Sequence, residues 1–218
     1  QEWTPTNEEF TKLAFNLLTS LAKIHKEGCI IRDIKLDNIV YLDNHSPVNA
    51  DNIKFIDFGS AYIEGISTHN NFRGTENYYA PEYLYRNKLT SAFDIWSLGI
   101  TFYVLIAKYF PNDEAPNQYY EYPYAYRFND ENIDKLFETE EFENYSNDIK
   151  QLIKSMLTYN DEFRPSAEKL LEMEMFNPYK IDLDQLDLYE WIIHWINYFL
   201  SELLKPSSHF FFAILSKK

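Results

Sequence analysis

The chain has 218 residues, of which 20 are basic and 34 acidic, giving a formal net charge of −14. A field of that sign excludes a nucleic-acid groove, whose affinity rests on positive charge, and is compatible with a solvated acidic surface or with basic peptide partners. A single cysteine, Cys29, excludes an internal disulfide framework and fits a reducing compartment, and 45% hydrophobic residues in this length suffice for one large domain with a sizeable core.

Thr6-Asn7-Glu8-Glu9 has the form of a capping box, an N-cap hydroxyl followed three positions on by a glutamate. Phe10, Leu13, Ala14, Leu17, Leu18, Leu21 and Ile24 then recur at helical spacing, and Gly28 stands where such a helix closes. A short apolar piece, Cys29 to Ile31, leads into a polar run. Ile39-Val40-Tyr41 and Ile53-Lys54-Phe55-Ile56 predict two short strands around a loop containing Pro47, a pairing that sets Asn38 and Asp57 side by side at its ends. Ser91 to Ala107 is apolar nearly all round, which predicts a buried helix; it is too short for a membrane span and carries Asp94. Residues 111–145 are rich in Pro, Tyr, Asn and acids and read as loop with short helices. Ile149, Leu152, Ile153, Met156 and Leu157 form a further helical stripe, and Ser166 is predicted to cap a last helix through Met175. No internal repeat is evident. Leu188 to Leu204 and Phe210 to Leu215 are apolar and aromatic; Glu190, His194, Asn197 and Glu202 interrupt the first, which reads as a helix packed on the domain, with a partner- or membrane-surface helix as the alternative.

The chemistry concentrates in short runs. Arg32-Asp33-Ile34-Lys35-Leu36-Asp37-Asn38 and then Asp57-Phe58-Gly59 supply carboxylates, an ammonium and a carboxamide. A phosphoryl-transfer site needs these groups to hold Mg²⁺ on nucleotide phosphates, neutralise charge on the moving group and orient the attacking hydroxyl. Ala80-Pro81-Glu82, Asp94-Ile95-Trp96-Ser97-Leu98-Gly99 and Arg164-Pro165-Ser166 follow in order. Over Glu9 to Phe176 the set resembles the C-terminal lobe of a eukaryotic-type Ser/Thr protein kinase. Asp57-Phe58-Gly59-Ser60-Ala61 and Gly74-Thr75-Glu76 are similar to the calcium/calmodulin-kinase-like and related groups.

That resemblance implies a mainly α fold with a small β ribbon, and ATP and Mg²⁺ as cofactors. It makes Asp33 the base or orienting carboxylate for the substrate hydroxyl. Lys35 becomes the lysine that touches the transferred phosphate, which favours a Ser/Thr over a Tyr substrate. Asn38 and Asp57 become the magnesium-holding oxygens beside the nucleotide. Within the activation segment, Asp57 to Glu82, Thr75 is expected to reach Asp33 and Lys35, and Arg32 to pair with a segment phosphate. Asn71 stands where many relatives carry the phosphorylated threonine, with Ser67 and Thr68 nearest to it. Glu82 and Arg164 resemble a structural ion pair, and Asp94 is expected to take backbone amides of the catalytic loop. Asp37 and Glu121 occupy places where relatives read arginine in the substrate. One departure is Ile31, which replaces the usual histidine bracing the Asp57-Phe58-Gly59 turn.

The glycines Gly28, Gly59, Gly65, Gly74 and Gly99 never fall within a G-x-G-x-x-G frame, and Lys12, Lys23 and Lys26 lie on a predicted helix rather than a strand. The resemblance therefore implies that the N-terminal, nucleotide-covering lobe is missing. Residues 1–180 are expected to form the C-lobe and 181–218 an apolar helical extension; starting at Gln1 and without a signal peptide, the chain reads as a fragment or as a processed or partial product. Without the upper lobe, Asn38 and Asp57 are expected to face solvent. The function implied is a cytoplasmic, ATP-dependent protein serine/threonine kinase acting on protein substrates, with basic ones suited to its acids. The rival is a non-catalytic pseudokinase lobe that binds partners through its peptide groove and C-terminal helix.

Overall fold

Helix α1, Asn7–Lys26, begins at a full capping box: Glu9 N donates to the Thr6 hydroxyl, and Thr6 N donates to the Glu9 carboxylate. Its apolar face, including Phe10, Leu17, Leu18 and Leu21, is almost wholly buried, each such side chain contributing about 1.5–3 kcal/mol of transfer free energy. Gly28, at φ 71°, turns the chain out of the helix in the left-handed region that a side chain disfavours. The computed structural model describes residues 3–41, 53–63, 73–86, 89–111 and 133–184. Ser67, Thr68, Asn71, Glu121 and the segments Leu188 to Leu204 and Phe210 to Leu215 lie outside the described residues.

Among the described residues the β structure is two ribbons rather than one. β2, Ile39–Tyr41, pairs antiparallel with β3, Ile53–Phe55, in the register Ile39 to Phe55. Beyond that register Ile56 N donates to the Asn38 carbonyl at 2.9 Å, which carries the pairing up to the residue before Asp57. The second ribbon joins β1, Cys29–Ile30, to β4, Tyr62–Ile63, and so brackets residues 31–61.

α2, Pro81–Arg86, opens on a proline in the first turn, where its missing N–H costs no helical bond. α3, Ser91–Ala107, is the buried helix, with Trp96, Leu98 and Phe102 at 0% exposure. α4, Asn147–Met156, packs against it at Gly99, where a Cβ would lie 2.9 Å from Met156 Cβ. The Asn7 side chain ties the start of α1 to the start of α4, donating to Asn144 O and accepting from Ser146 N, both at 2.8 Å.

The last predicted helix needs correction. Ser166 caps it, but α5 is only Ala167–Leu170, and the chain then proceeds through tighter turns into a 3-10 segment, Glu174–Asp184. Phe176, fully buried and tilted against Phe15 at 5.9 Å, draws the backbone inward there, and this burial outweighs the helical preference of the local sequence. The chain divides into two units, Gln1–Phe176 and Asn177–Lys218. No described helix is long and apolar enough to cross a membrane.

Candidate active site

The site is assembled on a support that sits deeper than the chemistry. Asp94 in α3 is fully buried, and its carboxylate accepts from Ile31 N at 2.7 Å and Arg32 N at 2.9 Å. His25 Nε2 lies 2.9 Å from the same oxygen that receives Ile31. A carboxylate only accepts, so that ring nitrogen carries the proton. These bonds offset the desolvation of a buried carboxylate and hold Arg32 at φ 66°, a strained value for a side-chain-bearing residue. His25 was not legible as part of the site, because it belongs to the tail of α1 and no motif marks it. Ile31, in the place of the usual histidine, is 1% exposed and fills the core.

Asp33 follows directly. Its Oδ1 accepts from the Thr75 hydroxyl at 2.7 Å, and the same hydroxyl oxygen accepts from Lys35 Nζ at 2.7 Å. Lys35 Nζ also lies 3.3 Å from Asp33 Oδ2. The Asn38 carboxamide nitrogen donates to that Oδ2 at 3.0 Å and to the Asp33 carbonyl at 2.8 Å. Four residues from two distant stretches of chain thus form one network, partly open to solvent. Burial first, then the charges of Asp37 and Asp33, push the Tyr78 hydroxyl beside it up to about 12.

Thr75 owes its position to Gly74. At φ 106° that glycine presses on the catalytic loop so closely that a Cβ would meet the Arg32 carbonyl oxygen at 2.1 Å. Behind it, Tyr79 donates its hydroxyl to Gly74 O at 3.1 Å and the Ser97 hydroxyl donates to Tyr78 O at 2.8 Å, which moors the segment on α3. The Arg32 guanidinium turns instead toward the end of the Phe58–Ser60 turn and donates to the carbonyls of Ser60 and Ala61. Burial pulls its pKa below the usual arginine value.

Asp57 is exposed and sits at φ 59°, with its carboxylate accepting from Gly59 N at 3.1 Å. Asn38, by contrast, is 7% exposed, so the expectation that both face solvent fails for Asn38: its bonds to Asp33 draw it under the loop. With its nitrogen committed to Asp33, Asn38 has a neutral carboxamide oxygen as its acceptor, and Asp57 carries charged ones. A small hard cation that also binds phosphates and water fits this donor pair.

Glu82 and Arg164 meet in a bidentate pair, at 2.7 and 3.0 Å, away from the network. Arg164 also donates to the carbonyls of Ala92, Thr158 and Tyr159, and stacks over Trp96 with 5.0 Å to the ring centroid. Asp37 is exposed on the turn after Lys35.

A family model described as the protein kinase domain matches residues 1–176. The chain belongs to the protein kinase family. It is 30% identical over 181 residues to a calcium and calcium/calmodulin-dependent serine/threonine-protein kinase of Pisum sativum, covering 82% of this chain and 32% of that one. A serine/threonine-protein kinase, PSK2, of Saccharomyces cerevisiae is 33% identical over 174 residues, covering 76% and 13%. Calcium-dependent protein kinase 5 of Plasmodium falciparum is 32% identical over 182 residues, covering 79% and 29%. The chain therefore spans a third or less of the length of these kinases.

Proposed function

We propose that the chain is the C-terminal lobe of an ATP-dependent protein serine/threonine kinase, passing the γ-phosphoryl group of ATP to a protein hydroxyl once a glycine-rich lobe covers the nucleotide. The observation that carries this reading is the network of Asp33, Lys35, Thr75 and Asn38, in which a carboxylate, an ammonium, a hydroxyl and a carboxamide bond to one another and Asp33 and Lys35 stay partly open to solvent. In it, Asp33 orients the substrate hydroxyl and takes up its proton, while Lys35 neutralises charge on the group in transit. Thr75 fixes the distance between those two. Asn38 and Asp57 are the residues that would hold Mg²⁺. MgATP, when bound, supplies the phosphoryl group and its leaving group. Lys35 favours a serine or threonine acceptor, and Arg32 is the residue to meet a phosphate on the activation segment. A cytoplasmic setting, rich in ATP and consistent with the lone buried Cys29, belongs to the same proposal.

The test is Mg²⁺-dependent nucleotide binding and transfer to a serine peptide, by the chain alone and with a glycine-rich kinase lobe supplied. Alone, the chain is expected to bind MgATP weakly, because exposed Asp57 attracts metal phosphate through water and salt. With the lobe, transfer should appear and be nearly abolished by Asp57→Asn. Turnover of that variant within about threefold of wild type would overturn the metal assignment. Strong transfer by the chain alone would overturn the lobe assignment. No transfer even with the lobe would favour the partner-binding pseudokinase, the reading that Ile31 supports.

A further inference from the structure

We propose that Glu76 makes this site selective for a hydroxyl whose neighbouring residue carries a positive charge. The inference rests on the kinase reading above and concerns which acceptor that site takes. The acceptor hydroxyl must come to Asp33, and Asp33 Oδ1 is already in contact with the Thr75 hydroxyl at 2.7 Å. The acceptor side chain therefore lies alongside Thr75. Consecutive Cα atoms are about 3.8 Å apart, so a residue next to the acceptor runs past a residue next to Thr75. Gly74 on one side has no side chain and is pressed against the Arg32 carbonyl. Glu76 on the other side is exposed, opens the 3-10 turn Glu76–Tyr78, and is the one acid between Arg73 and Tyr79.

The surroundings keep that carboxylate available. Thr75 is extended, Tyr78 and Tyr79 are buried behind the turn, and Tyr79 is closed onto Gly74 O, so Glu76 is the turn's outward side chain. Among the described residues Glu76 makes no ion pair, whereas Asp33 is matched to Lys35, Asp94 to His25 and Glu82 to Arg164. Of the nearby cations, Lys35 is engaged on Thr75 and Asp33 and Arg32 on the Ser60 and Ala61 carbonyls, while exposed Arg73 makes no ion pair with Glu76. Burial first, then the charges of Tyr83, Glu76 and Asp33, raise the pKa of the Tyr79 hydroxyl, and the charge of Arg32 lowers it. A cationic neighbour on the substrate would give Glu76 its partner. An acidic neighbour would face Glu76 in a region already dense in carboxylate.

The experiment uses the protein carrying this chain, in the form that shows Asp33-dependent transfer, and serine peptides with Arg, Ala or Glu immediately before or immediately after the serine. At one of the two positions kcat/KM should favour Arg over Glu by about tenfold, the scale of an exposed attraction replaced by an exposed repulsion, and the ratio should shrink with added salt. Glu76→Gln should remove most of the ratio, and Glu76→Arg should invert it. Transfer that stays Asp33-dependent, with a neighbour preference that neither substitution shifts, would overturn the proposal and leave the kinase reading standing. No transfer to any peptide by the wild-type protein would overturn both.

Discussion

Two acid–base pairs in this molecule have the same chemistry and opposite surroundings. Glu82–Arg164 is sealed, with side chains 2% and 0% exposed, and every direction of the guanidinium is filled by a carbonyl, a carboxylate or the Trp96 ring. Asp33–Lys35 is looser, 3.3 Å apart at 13% and 21% exposure, with a threonine hydroxyl inserted between the partners. In the first arrangement both partners are buried, and it ties Glu82 of α2 to Arg164 and to the carbonyls of Ala92, Thr158 and Tyr159. The second stays partly open to solvent, which is where the proposed function puts the substrate hydroxyl. Saturation marks the support, and incomplete closure marks the working site.

The comparison breaks most visibly if one side of the sealed pair is removed. Arg164→Ala strands the Glu82 carboxylate and should cost about 3–5 kcal/mol in chemical denaturation, whereas Lys35→Ala should cost under about 1 kcal/mol while removing most transfer. Equal stability losses for the two variants would erase the distinction.

The contact between support and site is sharpened by Gly74→Ala. The added Cβ conflicts with the Arg32 carbonyl and with φ 106°, so a loss of about 1–3 kcal/mol is expected, accompanied by faster proteolysis within residues 73–79. Unchanged stability would mean that the segment is not pressed on the catalytic loop. The smallest effect belongs to a helix end remote from both pairs: Thr6→Ala should lower stability by about 1 kcal/mol through loss of the cap, with transfer unaffected, as a melting curve and a peptide assay together would show.

Much of this was legible before any coordinates. The capping box at Thr6 and the unbroken apolar run of Ser91–Ala107 each carry their boundary in local chemistry, and both helices run over the predicted residues. The β1–β4 ribbon escaped notice because two residues per strand leave no alternation to read, and their partners are far apart in the chain. The end of α5 was misjudged because the burial of Phe176 against Phe15 is a tertiary event. The motifs named Asp33, Lys35, Asn38 and Asp57 as the residues of the proposed site, by residue type and order. The role of His25 on Asp94 and the depth of Asn38 depend on how α1, α3 and the catalytic loop come together, which no spacing rule encodes.

The most direct test of the account is phosphoryl transfer by Asp33→Asn, in the presence of a glycine-rich lobe, measured beside its melting temperature. Asparagine keeps the size of the side chain and can still accept from the Thr75 hydroxyl, losing only the partly exposed bonds from Asn38 and Lys35, but it cannot take up a proton. Turnover should fall by at least about a hundredfold with melting nearly unchanged, because Asp33 belongs to the open pair. Turnover within about threefold of wild type, or a collapse in stability like that expected of Arg164→Ala, would contradict the assignment of Asp33 to chemistry rather than to support.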